Sequence, residues 1–186
     1  MTGPRPASGR FKRWGFIAAA LLCLGLSDAR ADDGPGVAAI EAAYLTKFAA
    51  FVDWPAGEPA GPRTLCVFDH DQIAGLIEIA ESKPAADASP TALRRLAPGA
   101  PTAGCQILFI DADGKANTPP PEAAVPGAST LVVTNQAEEG HKGVINFVVR
   151  DNHVRFEIDD AQAARRGLTI SSKLLSLAVA VRPREP

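Results

Sequence analysis

The chain has 186 residues, 46% of them hydrophobic and 6% aromatic, with 19 Lys and Arg against 21 Asp and Glu for a formal net charge of −2. That length suits one domain with one sizeable core. Compact apolar blocks between turn formers exclude a disordered chain, and an acidic balance without a basic cluster past residue 31 excludes the electrostatic footprint of a nucleic-acid binder.

The chain opens with the three parts of an export signal in order. Arg5, Arg10, Lys12 and Arg13 are the positive region, Trp14 to Leu26 is almost wholly apolar, and Ala29-Arg30-Ala31 supplies small side chains for a peptidase. The apolar run is too short for a permanent span. Residues 1–31 are therefore read as a signal peptide cleaved after Ala31, leaving residues 32–186 as the working domain in a periplasm-like compartment. Lipoprotein processing at Cys23 is the alternative, but Leu22 stands where a small residue is needed. The leader holds five of the 19 basic residues and one of the 21 acidic ones, so the remainder carries 14 against 20, a balance of −6.

Past a flexible 32–36, apolar Ile40, Tyr44, Phe48 and Phe51, widened by Leu45 and Val52, predict a helix from Val37 to Asp53 that Trp54-Pro55 ends. Two glycines and two prolines make 56–63 a turn-rich connection to a strand over Thr64 to Phe68. A helix over Ile73 to Ala80 follows, then a loop over 82–90 and a short strand near Thr91 to Leu96. The unbroken run Cys105 to Ile110 reads as a buried strand, residues 117–127 as a proline-rich loop, and Ser129 to Thr134 as another buried strand. Strands over Val144 to Arg150 and His153 to Ile158 flank Asp151-Asn152, a two-residue hairpin signal. Asp160 to Arg166 is a helix closed by Gly167, and Ser171 or Ser172 caps a final helix through about Val179. The fold class is α/β: a single layered domain with a mixed β-sheet flanked by helices.

Once the leader is gone, only Cys66 and Cys105 remain, and two cysteines in an exported domain suggest one disulfide. Closing that loop is worth about 4 kcal/mol in the chain-entropy model. A redox pair or metal site is the alternative, but the chain has no C-x-x-C.

Five blocks in fixed order carry a resemblance: Ala43-Tyr44-Leu45-Thr46-Lys47-Phe48 through Phe51-Val52-Asp53-Trp54-Pro55; Leu65-Cys66-Val67; Gly104-Cys105-Gln106-Ile107-Leu108-Phe109-Ile110; Arg155-Phe156-Glu157-Ile158; and Gly167-Leu168-Thr169-Ile170-Ser171-Ser172-Lys173-Leu174-Leu175. Together the chain resembles the YfiR family of small periplasmic proteins from about residue 40 to 180. The resemblance implies a negative regulator that binds the periplasmic sensor portion of an inner-membrane diguanylate cyclase, with cyclic di-GMP and biofilm formation as the readout. It also implies a homodimer, and release of the cyclase when an outer-membrane lipoprotein captures the regulator. The chain lacks the second cysteine pair that some members of the family carry near the hairpin, and it has Asp159 where Asn is common.

No catalytic constellation is present: there is no G-x-S-x-G and no phosphate-cradling glycine loop. His70, His141 and His153 are far apart, so no metal site is assigned, and Asp69-His70-Asp71 reads as a solvated loop. No cofactor is implied, and Asp159-Asp160 reads as capping ahead of a helix. Period-two geometry sends Val154, Phe156 and Ile158 to a core face, and His153, Arg155 and Glu157 to a polar row that is either solvated or a platform for a partner or ligand. Trp54 is a candidate interface residue at the end of the first helix. Lys173 is a candidate contact by family analogy. A small-ligand binding protein serving another membrane receptor is the alternative to the cyclase regulator.

Overall fold

The structure, a computed structural model, describes residue 3 and residues 36–57, 61–68, 72–82, 91–111 and 129–184. Apart from residue 3, these fall in the compact unit Gly34–Pro186. The signal peptide 1–31, apart from residue 3, with its cleavage point after Ala31, the Asp69-His70-Asp71 triplet, the 117–127 loop and all but the first residue of the 82–90 loop lie outside the described residues.

The elements run in the order α1 (Val37–Phe48), a 3₁₀ turn (Ala49–Phe51), β1 (Val52–Asp53), β2 (Arg63–Phe68), α2 (Ile73–Glu81), β3 (Thr91–Leu96), β4 (Ile107–Asp111), β5 (Leu131–Asn135), β6 (Ile145–Arg150), β7 (His153–Asp159), α3 (Asp160–Arg165), β8 (Thr169–Ile170), α4 (Ser172–Leu175) and β9 (Ala180–Arg182). Seven strands form one sheet in the order β3-β2-β4-β5-β6-β7-β9, while β1 and β8 make a separate antiparallel pair. From β3 to β6 neighbouring strands are parallel; β7 runs antiparallel to β6, and β9 is parallel to β7. The domain is therefore α/β with a mixed sheet, as the residue pattern predicts.

Both faces of the sheet are apolar at its centre, which is why β4 and β5 read as unbroken hydrophobic runs rather than alternating ones. On one face, Leu65, Val67, Ile107, Phe109, Val133, Phe147 and Phe156 pack with Leu45 and Phe48 of α1 and Ile77 of α2. Phe48 stacks on Phe147 (centroids 5.8 Å) and meets Phe156 edge-on (5.7 Å), an arrangement that aromatic quadrupoles favour. On the other face, Cys66, Phe68, Leu108, Ile110 and Val132 form a smaller cluster, against which Ala100 of the β3–β4 connection packs.

Two predicted helices are shorter than expected. The first stops at Phe48, tightens into the 3₁₀ turn, and gives up Val52 and Asp53 to β1, where they pair with Ile170 and Thr169. β-branched Val52 ahead of Trp54-Pro55 suits extended backbone better than a last helical turn. The last helix is a single turn, Ser172–Leu175, with Ser171 Oγ accepting from Leu174 N at 3.3 Å. The chain beyond it adds β9 to the open edge of β7, where Val181 lies beside Ile158. Three short strands, β1, β8 and β9, are absent from the sequence reading.

Candidate functional site

Asp151 and Asn152 both take positive φ (50° and 59°), the requirement of a type I′ turn, and Asn and Asp are among the few residues that bear it. This turn fixes the β6–β7 register, placing Val148 opposite Arg155, Asn146 opposite Glu157 and Arg150 opposite His153. Val154, Phe156 and Ile158 are buried in the core with α1. His153, Arg155 and Glu157 share the opposite face, so the period-two reading of this strand holds, with His153 and Arg155 exposed and Glu157 half-buried.

Charge along this row is organised by residues the sequence reading does not single out. Glu157 is held from two sides, by Lys142 Nζ at 3.0 Å and by an Arg150 guanidinium nitrogen at 2.8 Å, and its side chain is only 19% exposed. Lys142 also reaches Glu139 at 3.1 Å. Hydrogen bonding to Glu157 first, and then to Glu139, raises the Lys142 ammonium above its ordinary pKa against the opposing effect of burial. His153 Nδ1 donates to the Asp151 carbonyl at 2.6 Å, which ties the ring to its own turn. Asp159 caps α3, accepting from Gln162 N at 2.7 Å, and meets Arg182 at 3.4 Å.

One lateral row of the sheet passes from core to surface through Ile110, Thr134, Asn146, Glu157 and Ala180. Thr134 and Asn146 are buried polar side chains in the middle of it. Thr134 Oγ1 donates to Asn146 Oδ1 at 2.8 Å and accepts from Gly143 N at 3.1 Å, and Asn146 Oδ1 accepts a second bond from Ala137 N. Burial without partners would be costly; these groups instead pin the 136–144 loop, and with it Lys142, against the sheet. Between that loop and β9 lies a cleft of about 140 Å³ whose walls include Glu139, Lys142, Asn146, Glu157, Asp159 and Arg182. An Asn inside the apolar run of β6 is the signal in the sequence that would have found this network.

The remaining predicted residues lie elsewhere. Trp54 is half-buried against the core on the α1 side of the sheet, with the Arg63 guanidinium over its ring at 4.7 Å and its buried Nε1–H given no acceptor among the described residues. Lys173 is exposed, its ammonium 5.5 Å from the centroid of Phe51. Both belong to the end of the molecule where β1 and β8 pair, across the sheet from Arg155, so the five candidates do not converge on one point. Cys66 and Cys105 are joined (S–S 2.06 Å, Cα–Cα 5.8 Å) and buried, linking β2 to the approach to β4, its neighbour in the sheet. Arg94 donates to the Ala103 carbonyl at 2.9 Å and to Cys105 Sγ at 2.8 Å, covering the bridge from the solvent side. Among the described residues no group of three or more His, Cys, Asp or Glu is placed to hold a metal.

A family model described as YfiR/HmsC-like matches residues 38–179, a span from α1 to the approach to β9. No curated protein matches the chain.

Proposed function

The chain belongs to the YfiR/HmsC-like family, a family of periplasmic regulators of cyclic di-GMP signalling, and from that premise we propose that it represses an inner-membrane diguanylate cyclase by binding the cyclase's periplasmic sensor region. The observation that carries this reading is the family match itself, which covers 142 of the 186 residues, 38 to 179, and so the whole sheet apart from β9. A buried disulfide supports an oxidising compartment. Export by the 1–31 signal peptide, a homodimer, and relief of repression by an outer-membrane lipoprotein complete the proposal, with biofilm formation as its outcome. The polar row of β7 is the proposed contact surface for the cyclase, and the Trp54 and Lys173 end is a second surface, available to another partner.

Deleting the gene and measuring cyclic di-GMP tests the proposal. The level should rise in a strain that expresses the protein; an unchanged level would overturn cyclase repression. The cleft beside Glu157 favours a second reading, in which a small ligand tunes partner binding. Calorimetry with amino acids and aromatic metabolites should then show saturable binding that Glu157→Gln weakens. Arg155 is not part of the cleft wall.

A further inference from the structure

We infer that the outer face of the β6–β7 hairpin is a docking surface for an acidic segment of a partner protein, with the Arg155 guanidinium as the group that takes its carboxylates. This deepens the regulatory reading, on which it rests for the existence of a protein partner. The two strands bury one face under α1, and on the opposite face His153, Arg155 and Arg150 are exposed while Val148 is half-buried across from Arg155.

The charges around this face are not all paired with one another. Glu157 is the carboxylate closest along the row, and it is occupied on both oxygens by Lys142 and Arg150. Asp159 is engaged by the α3 backbone and Arg182. Among the described residues Arg155 has no carboxylate partner, so its own charge stands open beside ion pairs that are already closed. Arg165 is also exposed, but it lies in the last turn of α3, where the helix dipole accounts for a cation.

The geometry selects the kind of partner. A guanidinium presents a planar fork that matches carboxylates in two-point contact, and here it projects from a hydrogen-bonded hairpin with a fixed turn, so little backbone order is lost on binding. Arg155 sits on an open face rather than in the cleft, which suits a segment of chain rather than a metabolite. One uncompensated arginine is also a poor match to a phosphate backbone, which needs many cations.

The test uses two decapeptides, alternating Glu-Thr and alternating Lys-Thr, titrated into the purified, isotope-labelled protein and followed by backbone amide shifts. The acidic peptide should bind saturably and more weakly as salt rises, with shifts centred on residues 146–157. Arg155→Ala should weaken it roughly fivefold, the upper range for one exposed charge pair, Arg155→Lys should lose less, and Arg165→Ala should bind like the wild type. Equal binding by Arg155→Ala, shifts centred elsewhere, a comparable response to the basic peptide, or tighter binding of a single-stranded DNA decamer would overturn the inference. Cyclic di-GMP measured in cells carrying Arg155→Glu separates the two levels. If the acidic peptide binds as expected but the cyclic di-GMP level does not change, the surface stands and the cyclase is not its partner.

Discussion

Gly143 shows how a single residue without a side chain sets the site. A Cβ at this position would lie 2.5 Å from the Val132 carbonyl oxygen of β5, so any other residue forces the 136–144 loop off the sheet. Gly143→Ala should cost about 1–3 kcal/mol, the usual range for overpacking, in urea unfolding, and should free Lys142 from Glu157. Lys142 carries a pH signature of its own. Its pKa is raised from the ordinary 10.5 by Glu157 and Glu139, so the stability it contributes is complete below pH 10.5 and is lost as pH rises through the higher folded value. Wild-type protein should lose thermal stability on going above that pH more steeply than Lys142→Met, whereas equal slopes would remove this ion pair from the account. The disulfide acts at the same scale but through the unfolded chain. Cys66→Ala or Cys105→Ala should each cost about 2–4 kcal/mol, with the double change no worse than either single one, since all three remove the same bridge. Two free thiols by mass spectrometry of the non-reduced protein would contradict the bridge.

The elements divide into those whose local signals agree and those decided by tertiary pairing. α2, β2 and the β6–β7 hairpin lie within two residues of the predicted bounds because apolar periodicity and turn chemistry point the same way. The hairpin makes the point testable. With φ of 59° at Asn152, Asn152→Val should cost about 1–2 kcal/mol, the penalty of left-handed backbone for a β-branched side chain, and Asn152→Gly should be neutral or stabilising by denaturant titration. β1, β8 and β9 have two or three residues each, too few for a period to register, and each exists only because a distant strand offers an edge. The candidate site follows the same division. The alternation of His153, Arg155 and Glu157 with Val154, Phe156 and Ile158 is legible within one strand. The pairing of Glu157 with Lys142 and Arg150 depends on hairpin register and on a loop held by Thr134 and Asn146, and it appears only once the sheet is assembled.

At the scale of the whole molecule, the end of the chain closes the fold. After α4 the backbone returns to the sheet, adds β9 beside β7, and then crosses toward α3, where Arg184 grips Asp160 in a two-point contact of 2.7 and 2.9 Å and also donates to the Leu168 carbonyl at 3.4 Å. Asp160 is only 7% exposed, and the Arg184 guanidinium holds its proton more tightly than usual because it donates to that carboxylate. The contact joins the last strand to the first turn of α3, so the edge strand, short and exposed as it is, is anchored at its far end. Arg184→Ala leaves a largely buried carboxylate with one side unpaired and should cost about 1–3 kcal/mol. Arg184→Lys should recover only part of this, because an ammonium cannot fork across two oxygens. Asp160→Asn combined with Arg184→Met should cost less than the sum of the single changes, since each alone strands its partner. Amide exchange adds the spatial test: in Arg184→Ala the amides of β9 should exchange faster while those of β2 and β4, five and four positions away in the sheet order, keep their protection. If β9 exchanges at the wild-type rate in that variant, the last strand holds by its pairing with β7 alone and the latch plays no part in closing the domain.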